Sequence, residues 1–224
     1  MPTGEPVWRP LLSAARLQRE ADVVVGRREV GEECARLLAQ VRRQCPGLLP
    51  EEPLAAGKVA QPVEVDHDSA RRVFRLGLRA AAGIRRSDSV LWRKGDIQLL
   101  VHVSRVEIGL DDGSITVNIP VECDETGRTE VSVVFAVGSS RRAAGVLAAT
   151  EDRPRGPVPI VTLWSEELVA LAWRGVMEGV VGLAGATGAD EDGAALIPAT
   201  FAVTADRVAV QPMARLAFDR VRRP

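Results

Sequence analysis

The stretch Ser114–Val137, "SITVNIPVECDETGRTEVSVVFAV", decides the fold. Ile115, Val117, Ile119, Val121 and Cys123 alternate with polar neighbours, and Val131, Val133, Phe135 and Val137 repeat the pattern. A period of two sends successive side chains to opposite faces of a strand, so each half is a strand with one buried and one wet face. Asp124-Glu125-Thr126-Gly127 between them is turn chemistry, and the pair predicts an antiparallel hairpin.

Upstream, "SVLW" and "IQLLVHVSRVEIGL" extend the meander, parted by Lys94-Gly95-Asp96 and by Asp111-Asp112-Gly113, with His102 in mid-strand. Downstream, "ATFAVTADRVAVQPM" predicts a hairpin turning at Ala205-Asp206. "DHDSARRVFRLGLRAAAG" predicts a helix capped by Asp68 or Ser69, with Val73, Phe74, Leu78 and Ala81 on its apolar side and Gly83 closing it. After the loop "TEDRPRGPVP" comes a short apolar run, "IVTLW", and then a long Gly-rich helix capped by Ser165, with Glu166 and Glu167 at the positive end of its dipole.

Leu11–Val41 has helical periodicity with a break expected near Gly26, and "CPGLLPEEPLAAGKVAQP" ends it. "ARLAFDRVRR" closes the chain as an amphipathic helix. The expectation is α+β: an antiparallel β-meander of four to six strands packed with a long C-terminal Gly-rich helix, plus an N-terminal helical segment. The domain reading is a helical segment over 1–46, a Pro/Gly-rich linker over 47–64, and an α+β domain over 65–224.

The glycine-rich helix, "WRGVMEGVVGLAGATGADEDG" from Trp173 to Gly193, is the most site-like stretch. A phosphate loop needs Lys followed by Ser or Thr, and the segment contains no Lys. An EF-hand register starting at Gly188 puts Ala199 where an oxygen ligand is required. A membrane span would place Arg174 and Glu178 mid-bilayer, at roughly 2.5–3.5 kcal/mol each; their i, i+4 spacing instead predicts a pair on an exposed strip. What remains is a seam of small residues, Ala172, Gly175, Gly179, Gly182 and Ala186, beside a second seam from Val169 to Leu183. Each interior Gly costs roughly 0.8–1 kcal/mol of helix propensity relative to Ala, so the seam predicts a closely approaching backbone. Another element of the same chain is the favoured partner, ahead of a neighbouring subunit.

Composition is that of a folding chain: 224 residues, 46% hydrophobic, 26% charged and a formal net charge of −1. Wholesale attraction to nucleic acid or an anionic membrane is therefore not implied. Lys58 and Lys94 are the only lysines and Tyr is absent, a skew that fits GC-rich coding and a bacterial source. "MPTGEPVWRPLLSAARLQRE" is not a secretory signal pattern, so a cytoplasmic location is expected. Cys34 and Cys45, about 16 Å apart on one helix, cannot form a disulfide.

Candidate chemistry is thin, and no cofactor, metal or catalytic residue is assigned. His67 between Asp66 and Asp68 suits a helix cap better than a metal site. Cys123 with His102 and Asp124 would need a triad geometry, while Cys123 fits the inward apolar row of its strand.

Charge is more informative. Arg71, Arg72, Arg75, Arg79, Arg85, Arg86, Arg93 and Lys94 stand against a single Asp88 between them. The strands carry the opposite sign at Glu107, Asp111, Asp112, Glu122, Asp124, Glu125 and Glu130. The expectation is a non-catalytic structural or adaptor subunit of a larger assembly, joined to like or unlike protein subunits through these complementary surfaces. The alternative is a nucleic-acid or phosphate-ligand protein using the Arg71–Lys94 face, with Trp92 or Phe74 to stack on bases.

Overall fold

The structure, a computed structural model, describes residues 14–25, 36, 39–40, 43, 61–84, 87–141, 144–145, 150–151 and 154–214. The expected break near Gly26, the Pro/Gly-rich segment through residue 60, Arg85, Arg86 and the closing amphipathic helix lie outside the described residues. The chain is α+β, with antiparallel sheets and a long C-terminal helix.

The hairpin predicted by the alternation is its centre. Strand β5 (Ser114–Cys123) pairs with β6 (Gly127–Ala136), setting Ile115 against Phe135, Val117 against Val133 and Ile119 against Val131. All six side chains are fully buried. On the other side of β5 lie β3 (Ile97–Val101) and β4 (Glu107–Asp111), one after the other, with β2 (Val90–Lys94) outside β3 as the edge strand. The run expected as one strand is therefore two, separated by a 3₁₀ turn at Val103–Arg105. Pro120 explains the break. Its carbonyl accepts from His102 N–H at 2.9 Å, so its backbone faces this side, and a proline has no N–H to continue the ladder.

A second sheet runs β1 (Val63–Asp66), β10 (Arg207–Met213), β9 (Ile197–Val203), β7 (Ala144–Gly145). The two-residue β8 (Thr150–Glu151) continues the first sheet beyond β6. The β9–β10 hairpin turns at Ala205-Asp206 as expected, with Val203 opposite Val208, but β1 beside β10 was not foreseen. The sheets are joined at one corner: Gly113 N–H donates to Val203 O and Val203 N–H donates to Gly138 O, both at 2.9 Å. Gly113 holds φ +81°, a left-handed conformation that a side chain would strain.

Three helices have described bounds, α1 (Ala14–Val25), α2 (His67–Ala81) and α3 (Val158–Gly185), and the described residues 36, 39–40 and 43 are also helical. The N-cap of α2 is Asp66, not Asp68 or Ser69, and its carboxylate accepts from Ser69 N–H at 2.9 Å and Ser69 Oγ at 2.7 Å. The end of α2 is as expected. Gly83 takes φ +67° and donates to Ala80 O while Ile84 N–H reaches back to Arg79 O, a Schellman closure.

Helix α3 begins two turns earlier than Ser165. Pro157 is its N-cap without a side-chain bond, and "IVTLW" is its opening, with Ile160, Val161, Trp164 and Leu168 buried at helical spacing. Among the described residues α3 is the one helix long and apolar enough to cross a membrane, and 89% of its apolar window is buried inside the fold. That is the usual state of a helix apolar on every side. Trp173 is its anchor, with ring centroids 4.9 Å from Phe135 of the first sheet and 6.2 Å from Phe201 of the second. The indole N–H of Trp173 donates to Leu17 O of α1 at 3.0 Å.

Candidate functional site

The small-residue seam packs within the chain. A Cβ built on Gly77 of α2 would stand 2.1 Å from Gly175 O and 2.9 Å from Gly179 N. Reciprocally, a Cβ on Gly175 would meet Leu78 at 2.5 Å, and one on Gly179 would meet Phe74 at 2.7 Å. Three glycines on two helices thus set a near-backbone crossing, and Ala172, Gly182 and Ala186 continue the buried side of α3. Sequence reading named the α3 half of this contact. Gly77, inside the apolar pattern of α2, is its other half, and an unexplained glycine in a helix was the signal for it.

The exposed strip expected at Arg174 and Glu178 is covered at Glu178 and half-covered at Arg174. Helix α1 lies over it, the Arg174 guanidinium pairs with Glu20, and Glu178 is only 7% exposed.

The basic surface divides into engaged and open members. Arg71 Nε donates to Ile108 O of β4 at 3.1 Å, and its Nη1 pairs with Asp68 at 2.8 Å. Arg79 pairs with Asp88 at 3.8 Å. Lys94 lies 4.8 Å from the Trp164 ring centroid, donates to Leu163 O and pairs with Glu167 at 2.7 Å. Arg72, Arg75 and Arg93 are exposed and form no ion pair among the described residues. Arg93 lies on the edge strand β2, where charge discourages pairing with another strand. Neither aromatic proposed for stacking is open: Phe74 is in the core, and Trp92 is half-buried against Trp164 with centroids 6.0 Å apart.

The suggested triad is not assembled. Cys123 lies on the inward row of β5, its Sγ 3.2 Å from Thr126 Oγ1. His102 is 7% exposed, bonded through Nδ1 to Ser89 Oγ at 2.9 Å, with Nε2 3.5 Å from a Glu122 oxygen. Residues 122 and 123 project to opposite faces of the strand. His67 ties the start of α2 to the β9–β10 turn through Nε2 and Thr204 O at 3.0 Å. Among the described residues, no group of three or more His, Cys, Asp or Glu could hold a metal ion.

Several carboxylates serve turns. Asp190 is buried and accepts from the backbone N–H groups of Asp192 and Ala194, which folds "GADEDG" into a closed turn. Hydrogen bonds from Ser69 hold the Asp66 carboxyl below the ordinary 3.8, and those from the Ser140 hydroxyl and amide do the same for Asp112. Glu64 and Asp206 flank Arg207 and raise its pKa further.

At one end of the large sheet the β2–β3 and β5–β6 turns meet the start of α3 around a cleft of about 200 Å³. Ile160, Leu163, Trp164 and Cys123 line it with Ile97, and Asp96, Asp124 and Glu125 stand at its rim.

No protein-family model, curated protein or solved structure matches the chain.

Proposed function

We propose that this chain is a non-catalytic structural or adaptor subunit of a larger cytoplasmic assembly, binding other subunits through an Arg-bearing helix face and acidic sheet turns. The observation that supports the reading is the separation of open charge. Arg72 and Arg75 project from α2, whereas Asp96, Asp124 and Glu125 project from the turns beside the start of α3. None of these five side chains is ion-paired among the described residues, and open charges of opposite sign orient an encounter with a complementary surface. Among the described residues, engagement of Arg71, Arg79 and Lys94 within the fold leaves Arg72, Arg75 and Arg93 of the basic run open to a phosphate backbone.

Size exclusion coupled to light scattering, at low and at high salt, tests the self-associating form. The expected result is an oligomer that dissociates with salt and with Arg72→Glu/Arg75→Glu. A monomer under every condition overturns that form. Fluorescence anisotropy with labelled single- and double-stranded oligonucleotides tests the competing reading, and low-salt binding abolished by the same substitutions would replace the subunit proposal with it.

A further inference from the structure

The cleft at the start of α3 combines an apolar interior with a one-sign rim, and the two properties together specify what fits it. Of its apolar lining, Ile97 is 47% exposed and Leu163 38%. By register Ile97 sits opposite Lys94, on the face of β3 that also carries the buried Leu99 and Val101 and looks toward α3. The apolar row of the sheet thus runs out of the core into the cleft. Cys123 does the same at the end of the inward row of β5.

Lys94 reaches the start of α3 beside the cleft but is engaged by Glu167 and the Leu163 carbonyl. Asp96, Asp124 and Glu125 form no ion pair among the described residues, whereas Glu122 next door is matched by Arg128 and Glu167 by Lys94. Pro157 and Pro159 bracket the helix start, and the half charge of about +0.5 at a helix N-terminus offsets only a fraction of three carboxylates. A purely apolar ligand would leave these carboxylates unmatched, and a simple cation would leave Ile97 and Leu163 in water. A chain segment bearing arginine or lysine beside a large apolar side chain satisfies both.

We infer that this cleft is the docking site for a basic, amphipathic segment of an unlike partner protein. An apolar side chain of that segment enters between Ile97, Ile160 and Leu163, and its flanking cations meet Asp96, Asp124 and Glu125. A second copy of α2 does not supply this chemistry, because its exposed positions Arg72 and Arg75 come without an exposed large apolar neighbour; Val73, Phe74, Leu76 and Leu78 are all buried. The inference rests on the unlike-partner form of the subunit reading and gives that reading's acidic turns, Asp96, Asp124 and Glu125, to the unlike partner.

The test uses the full chain and a fluorescein-labelled peptide alternating Arg with Leu, with a Glu–Leu peptide of the same length as control. Anisotropy at low salt is expected to show saturable binding of the Arg–Leu peptide only, weakened at least tenfold by Asp124→Lys/Glu125→Lys and by Leu163→Asp. Cys123 supplies a local readout. Its alkylation by a maleimide, located by mass spectrometry of the digested protein, should slow at least fivefold when the Arg–Leu peptide is bound. Asp124→Asn/Glu125→Gln removes charge without reversing it and is expected to weaken binding with an unchanged melting curve. Equal binding of both peptides, insensitivity to all these substitutions, or unprotected Cys123 at saturation overturns the inference. So does full occupancy by a second copy, seen as Cys123 protection that depends on protein concentration alone. A salt-sensitive oligomer that is unaffected by Asp124→Lys/Glu125→Lys, with no peptide binding, counts against this inference alone; peptide binding by a chain that is monomeric at every salt counts against the self-associating form alone.

Discussion

Gly77 and Gly175 touch backbone to backbone, since a Cβ at Gly77 would lie 2.1 Å from the Gly175 carbonyl oxygen. Nothing flexible stands between them, so a methyl group there must move one helix against the other. Gly77→Ala gains about 1 kcal/mol of helix propensity, yet the net effect is expected to be a loss of at least about 3 kcal/mol, the upper end of overpacking costs. Chemical denaturation measures it. A melting temperature at or above that of the parent chain would show that the crossing is looser than drawn.

Trp173→Phe keeps most of the apolar contact with Phe135 and Phe201 and removes the N–H that reaches Leu17 O. The Leu17 carbonyl keeps its intrahelical partner, the Ala21 N–H, and loses its second donor, at about 0.5–1.5 kcal/mol. Because that bond ties α1 to α3, amide hydrogen exchange should accelerate over 14–25 more than over β5 and β6. Uniform acceleration would mean that Trp173 stabilises the core without a particular hold on α1.

Asp66 caps α2, and Asp66→Ala is expected to cost about 1 kcal/mol. Its carboxyl titrates below 3.8 in the folded chain because it accepts from Ser69. The stabilisation is therefore complete above the unfolded value and is lost as pH falls through the lowered folded value. Asp66→Asn keeps a capping oxygen that does not titrate, so its stability relative to the parent should improve below pH about 4. A constant difference between parent and variant across that range would count against the assignment.

Arginines that look equivalent along α2 should behave differently. Arg72→Glu and Arg75→Glu alter exposed side chains and should change stability by no more than about 0.5 kcal/mol. Arg71→Ala removes a charge-assisted hydrogen bond to Ile108 O that fastens α2 to β4, at about 1.5 kcal/mol. Equal effects at 71 and 75 in denaturant titrations would place Arg71 in solvent.

Elements whose signal is local were legible in the sequence. The 115–123 and 131–137 alternations, the turn residues between them and Gly83 at the end of α2 each act within a few residues, and each appears where its chemistry puts it. The start of α3 was misplaced because Ser165 is a good cap in isolation, while the true start depends on Ile160, Val161 and Trp164 finding the core. Strand β1 was missed for a similar reason: four residues beside a helix cap become a strand only because β10 lies alongside. The break at His102 was written in the sequence, but at Pro120 on the opposing strand. Charge shows the same division. The count of arginines was visible, whereas the engagement of Arg71, Arg79 and Lys94 depends on partners at Ile108, Asp88 and Glu167. The cleft had no single-segment signature, because Ile97, Cys123 and Leu163 come from three separate elements.

Pairing of Asp66 in β1 with Arg207 in β10 also fixes an order of events during synthesis. The partner strand emerges about 140 residues later, a wait of roughly 7–30 s at ribosomal speeds of about 5–20 residues per second. Through that interval β1 has no paired strand, and α3 emerges ahead of β9 and β10, which cover its second side. A chain cut short just before β9 would hold the long apolar helix α3 half-dressed, as a substrate for chaperones, and the last hairpin is what covers it.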